Sequence, residues 1–184
     1  NSAVGAIPRL LDIGIVPDIM SGNIIGIVAQ RLVRRLCRTC RQSYDPDVKE
    51  RRLLGLTPTE SAALFRSVGG EQCDYQGYRG RQSILEILKI DGGLDELIAR
   101  RATAREILTA ARAKGFRTLA DDGVLMVRGG HTSLDELMRV VGSVQLDEEL
   151  ERGAAPEAAR GQHHLTEVGA IRVDRQLEIG RAHV

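Results

Sequence analysis

The chain has 184 residues, 42% of them hydrophobic, with 26 Lys and Arg against 25 Asp and Glu. That suffices for one ordinary domain or two small ones, and the balanced charge gives no global pull toward nucleic acid or membrane, so any basic footprint must be local. Aromatic residues are 3% of the chain and Trp is absent, which argues against the aromatic platforms that bind single-stranded nucleic acid.

In chain order, Asn1 or Ser2 caps a helix whose apolar positions are Val4, Ile7, Leu10 and Leu11, and Gly14 stops it. No initiator Met precedes it, so the expected start lies upstream. Pro17 opens a second predicted helix, with Ile19, Met20, Ile24, Ile27 and Val28 as its buried face. Gln30 to Cys37 reads as a short strand, with continued helix as the alternative. A loop is expected over 37–44 and a helix over 48–54. Thr57-Pro58-Thr59-Glu60 has the pattern of a capping box and predicts a helix ending before Gly69-Gly70. Gly77-Tyr78-Arg79-Gly80-Arg81 reads as a tight turn, and Ser83 to Ile90 as a largely buried strand. From Asp91 to Val141 the pattern is helical, with starts at Thr103, Thr118 and Thr132 or Ser133 and a stop at Gly115. Residues 148–161 are charged and Ala-rich, as in a linker. The final seven residues, 178–184, match the translation of a sequencing-adapter stretch and are set aside.

The sequence contains no G-x-x-x-x-G-K-[ST], no G-x-G-x-x-G, no H-E-x-x-H and no G-x-S-x-G. Its four histidines, His131, His163, His164 and His183, form no catalytic constellation, and no catalytic or cofactor-binding residue is assigned. The positive signal is Cys37-Arg38-Thr39-Cys40. Two thiolates at this spacing can hold two corners of a tetrahedral Zn²⁺, and Cys73 is a third candidate ligand. Gly70 occupies the position that would complete a second C-x-x-C, while Glu71 and Asp74 are neighbouring oxygen donors. Thiols that bind no metal are the alternative; a redox pair would need a βαβ setting that the pattern lacks. The odd cysteine count fits a reducing compartment, no leader peptide is visible, and the apolar run 24–29 is too short to cross a bilayer. A basic stripe of Arg31, Arg34, Arg35, Arg38 and Arg41 can contact phosphate or anionic lipid; alternatively it is a solvated face or pairs with carboxylates of a neighbouring subunit. Tyr78 and Arg81 can anchor their turn on the core or on an adjacent chain.

Taken in order, five segments resemble the type II secretion and type IV pilus-assembly ATPases. They are Asn1 to Gly14, Ala29 to Cys37, Cys73 with Gly77 to Arg81, Ala113 to Leu119, and Gly129 to Glu136. The resemblance covers residues 1–141. It implies an α/β chain: the C-terminal part of a RecA-like P-loop ATPase core over 1–36, a zinc-knuckle-like subdomain over 37–81, and a strand with a mainly helical C-terminal subdomain over 82–141. Residues 142–177 are an uncertain tail. In that family two C-x-x-C pairs hold zinc, and Gly70 stands here in place of the third cysteine. The resemblance further implies a cytoplasmic homo-hexamer, peripheral at the bacterial inner membrane and docked on a platform protein. ATP and Mg²⁺ would be bound by residues upstream of Asn1, leaving these 184 residues inactive alone. Arg31, Arg34, Arg35, Tyr78 and Arg81 are the expected interface residues, with an anionic membrane surface as a further partner and no nucleic acid expected. The rival is a stand-alone zinc-ribbon adaptor for nucleic acid or protein.

Overall fold

The computed structural model describes residues 2–142; the expectations for the tail and the adapter-like end lie outside the described residues. Ser2 is the cap of the first helix, α1 (Ala3–Asp12), its hydroxyl accepting from the Gly5 amide at 3.0 Å. The second helix, α2, is a single turn (Pro17–Met20) instead of a helix running to Val28. The chain turns at Gly22 and enters strand β1 (Gly26–Leu36). Gly22 and Gly26 weaken a helix here, and the β-branched run Ile24, Ile25, Ile27 and Val28 is better accommodated on a pleated surface.

A loop over 37–41 is followed by the short strand β2 (Gln42–Tyr44), where loop was expected throughout. Helix α3 (Val48–Leu53) has a closed capping box between Asp47 and Glu50. The Thr57–Glu60 box is only half formed: the Thr57 amide reaches the Glu60 carboxylate at 3.3 Å, but no helix follows. Arg51 donates to the carbonyls of Thr57 and Glu60, which a helix would need for itself, and Leu64 is drawn into the core on strand β3 (Leu64–Arg66), paired antiparallel with β2. Propensity at the cap loses to burial downstream.

Strand β4 (Tyr78–Lys89) pairs antiparallel with β1, Ile27 opposite Leu88, Ala29 opposite Glu86 and Arg31 opposite Ile84. The expected turn at 77–81 is therefore a turn only at Gly77; Tyr78 to Arg81 already belong to the strand, with a register irregularity between Arg34 and Leu36. The strand is not buried on both faces. Ile84, Glu86 and Leu88 point inward, while Ile87 is 59% exposed, as the two-residue period requires of a ribbon covered on one side. Helices α4 (Gly92–Ala99), α5 (Ala104–Ala113), α6 (Leu119–Arg128) and α7 (Leu134–Val141) follow. Their caps are Asp91, Thr103, Thr118 and Ser133, so the last three expected starts hold, with Ser133 and not Thr132 at the final one.

Two apolar cores lie along the inner face of the β1–β4 ribbon. One joins Val33 and Ile84 to α6 and α7 through Val124, Val127, Leu134 and Leu137. The other joins Leu88 to α1, α4 and α5 through Ile7, Leu94, Ile98 and Ile107. Glu86 falls between Ile84 and Leu88 on that face and is 2% exposed. Its carboxylate accepts from the Ala3 amide at 2.6 Å and the Leu119 amide at 3.1 Å, the first residues of α1 and α6. Helix amino ends carry unsatisfied N–H groups and partial positive charge, so one buried anion satisfies two helix starts. The Asp122 carboxylate accepts from the Leu85 amide at 2.9 Å, capping the open edge of β4 with α6. Removing the double cap with Glu86→Ala should lower unfolding stability by about 3 kcal/mol, since two buried donors lose a charged acceptor. Urea denaturation reads this loss, and amide exchange at Ala3 and Leu119 should accelerate together; a loss below about 1 kcal/mol would show that the caps carry little.

Candidate metal centre

The end of β1 delivers Cys37. The Leu36 amide donates to the His131 carbonyl at 2.9 Å and the Cys37 amide to the Gly77 carbonyl at 3.0 Å, so this backbone is held from both sides. The chain then folds back, the Arg41 amide reaching the Cys37 carbonyl at 3.0 Å, which brings Cys40 alongside. Cys73 ends a single 3-10 turn (Glu71–Cys73), after which Asp74 takes a left-handed conformation. The Gly77 amide donates to Cys73 Sγ at 3.3 Å. Gly77 has φ +74°, and a Cβ there would stand 2.6 Å from the Ser67 Cβ, so only glycine allows this approach.

The three Sγ atoms lie within 4.8 Å of one another, with Cys40 and Cys73 at 3.5 Å. Zinc–thiolate bonds of about 2.3 Å in a tetrahedron place sulfurs about 3.8 Å apart, so the three donors fit one soft cation with little movement. Cys37 and Cys73 are buried and Cys40 is half-buried. The amides of Thr39 and Cys40 outweigh burial and lower the Cys37 pKa to about 7, whereas burial and the neighbouring thiols raise that of Cys40. Cys37 thus ionises more readily near neutrality than Cys40, and ligation requires the thiolate. The oxygen donors expected at Glu71 and Asp74 are exposed and stand outside the cluster; among the described residues no carboxylate or histidine joins it.

The arginine stripe divides. Arg31 donates to the Val140 carbonyl and Arg41 to the Gly130 carbonyl, the latter guanidinium lying 4.2 Å from the Phe65 ring centroid. Arg34 donates to Glu136 through its amide at 3.0 Å, its Nε at 2.8 Å and its Nη2 at 2.6 Å, and stacks 4.1 Å over Tyr78. Tyr78 in turn shares a hydrogen bond of 2.6 Å with Ser133. Arg139 adds two bonds to Glu136, at 2.9 and 2.7 Å. Of the expected interface set, Arg31, Arg34 and Tyr78 are therefore engaged within the chain, Arg35 is half-buried and Arg81 is exposed.

Glu136 and Glu86 are functional carboxylates whose roles no sequence motif marks. A lone carboxylate inside the apolar run Ile84 to Ile90 was the available signal for Glu86. Glu136 has the spacing of a cap partner to Ser133, and of its two arginine partners Arg34 lies 102 residues away. The Glu136 side chain is fully buried. Burial by itself would raise its pKa, but the bonds from Arg139 and Arg34 outweigh that and hold it at about 2.

The arrangement is that of a mixed α/β chain with a three-thiol loop tied to a helical C-terminal region, and it carries no membrane-crossing helix among the described residues. The chain belongs to the type II/IV secretion system protein family, whose model matches residues 1–139. It is 43% identical over 140 residues to the type II secretion system ATPase E of Vibrio cholerae, covering 76% of this chain and 28% of that relative. It is 41% identical over 140 residues to the type II secretion system protein E of Pseudomonas aeruginosa, covering 76% and 28% of the two chains. Identity to the type IV pilus assembly ATPase PilB of Thermus thermophilus is 39% over 140 residues, 75% of this chain and 16% of that protein. The chain thus spans 28% of the length of the first two relatives.

Because folding lowers the Glu136 pKa from 4.5 to about 2, its contribution is full above about pH 4.5 and is lost as pH falls toward 2. Glu136→Gln should cost about 3 kcal/mol at neutral pH, by leaving Arg34 and Arg139 without their acceptor. The variant should also flatten the acid limb of stability against pH between those values. An acid limb unchanged in the variant would remove Glu136 as its source.

Proposed function

We propose that this chain works as the C-terminal portion of a hexameric ATPase that powers type II protein secretion or type IV pilus assembly, with the nucleotide and Mg²⁺ bound by residues upstream of Asn1. The observation that carries this reading is the match over residues 1–139, which runs through both apolar cores and not through the cysteine loop alone. A stand-alone zinc-ribbon adaptor would account only for the loop.

The outer face of the ribbon supports the same reading. Val28 is 63% exposed, and Leu32 and Ile87 lie exposed beside it, while Leu10, Ile13 and Ile24 line an apolar groove between α1 and β1. An exposed apolar face of this kind suits a surface that a further layer of protein covers. In this reading residues 1–36 close a RecA-like core, 37–81 form the knuckle and 82–141 the C-terminal subdomain. Cys37, Cys40 and Cys73 would hold Zn²⁺, which supplies a cross-link between the end of β1 and the loop before β4. The Arg34–Glu136–Arg139 cluster and the Glu86 double cap make ribbon and helices one stiff unit, which suits a part that passes nucleotide-driven motion on through interfaces. Its surroundings would be the cytoplasmic side of the inner membrane, against a platform protein and neighbouring subunits.

Grafting residues 1–139 in place of the matching segment of the Vibrio cholerae relative should restore secretion and ATP hydrolysis in a strain lacking that ATPase. A stable graft that stays inactive, while the Pseudomonas segment grafted the same way works, would sink the proposal. Within a working graft, Arg35→Glu with Arg81→Glu should reduce hexamer formation or platform binding without changing thermal stability, because neither side chain carries an ion pair among the described residues. Normal assembly and secretion by that variant would exclude these arginines from the interface.

A further inference from the structure

We infer that the metal held by Cys37, Cys40 and Cys73 keeps one coordination position that no described residue fills, beside Gly70, and that this position takes a small thiolate from solution. The inference rests on the metal reading above.

Gly70 stands three residues before Cys73, the same spacing that separates Cys37 from Cys40. A Cβ built on Gly70 would lie 3.4 Å from the Cys40 Cβ and meet nothing else within 4 Å. A side chain there would thus leave the backbone alongside the Cys40 side chain, in ordinary van der Waals contact and with no backbone in its way. The backbone at Gly70 is extended, φ −177° and ψ 172°, a conformation any residue adopts. The fold thus does not require glycine here, unlike at Gly77; what glycine does is withhold a donor.

Among the described residues no other group takes its place. Glu71 and Asp74 point to solvent, and the cluster holds cysteines alone among the described residues. The Gly70 carbonyl is already committed to backbone donors, accepting from the Cys73 amide at 3.1 Å and the Tyr75 amide at 3.0 Å. A soft divalent cation with three thiolates prefers four ligands, and three protein ligands with one open position mark an exchangeable site. The mouth is reachable by a small molecule: Cys40 and Gly70 are half-buried, and Glu71 and Gln72 beside them are exposed. Soft donors favour sulfur in the fourth place over oxygen. The exchange balances when the incoming thiol releases its proton to buffer, binds as thiolate, and displaces one solvent ligand.

The test uses the 184-residue chain, Co²⁺ as a spectroscopic substitute for zinc, and 2-mercaptoethanol as the thiol. The wild type should bind one Co²⁺, and its sulfur-to-cobalt charge-transfer absorbance per cobalt should rise saturably by about one third as three thiolates become four. Gly70→Ala, which adds a Cβ without a sulfur, should respond as the wild type does. Gly70→Cys should begin at the higher absorbance and not respond to thiol. Cobalt bound by the wild type with a spectrum indifferent to thiol would overturn the inference and leave the metal reading standing. Absence of cobalt and zinc binding by the wild type, whether or not Gly70→Cys binds, would overturn the metal reading and this inference with it.

Discussion

A single buried carboxylate decides how the two halves of this chain meet. Glu86 sits on the inward face of β4 between Ile84, which belongs to one apolar core, and Leu88, which belongs to the other. A carboxylate cannot be buried there without donors, and the first amides of α1 and α6 supply them. Each helix is thereby fixed at its start, the end that most needs an acceptor, and the two cores grow outward from the ribbon on either side of that point. The apolar contacts supply most of the stabilisation, but they are non-directional; the double cap provides the direction.

A second charge cluster ties the cysteine loop to the helical region. Glu136 on α7 receives Arg34 from β1 and Arg139 from its own helix, and Tyr78 lies beneath Arg34 with its hydroxyl on Ser133, the cap of α7. Cys37 follows three residues after Arg34, so the thiol cluster is attached to a strand end that α7 holds rigidly. In the proposed role this gives a continuous path of packed and charged groups from the loop to the C-terminal helices. The outer face of the ribbon carries the exposed Val28, Leu32 and Ile87.

The local signals in the sequence were legible where several of them agreed. Thr103 with Glu106 and Thr118 with Asp121 form closed capping boxes on amphipathic segments, and both helices are present. Thr57 with Glu60 carries the same pattern, yet Arg51 takes the Thr57 and Glu60 carbonyls and the burial of Leu64 draws the following residues into a strand. The same competition undid the helix expected through Val28, where a β-branched run found a pairing partner about 60 residues along the chain. The cysteines were legible as a set from spacing. That they converge within 4.8 Å, and that Glu71 and Asp74 stay away, was not, because it depends on the turn at Gly77 and on the Leu36–His131 contact.

By itself the sequence determined the order of most elements, their caps, the three thiols and the family, since each of these is written in short spacings or in ordered motifs that need no partner to be recognised. Only the tertiary structure decided that the strand read from Gln30 begins at Gly26 and pairs with β4, the one-sided burial of β4, the roles of Glu86 and Glu136, and which arginines are engaged inside the chain. The physical reason is common to all four. Each is an interaction between groups tens of residues apart in the chain, whose strength comes from burial and exclusion of water, and burial is a property of the packed chain that no local window contains.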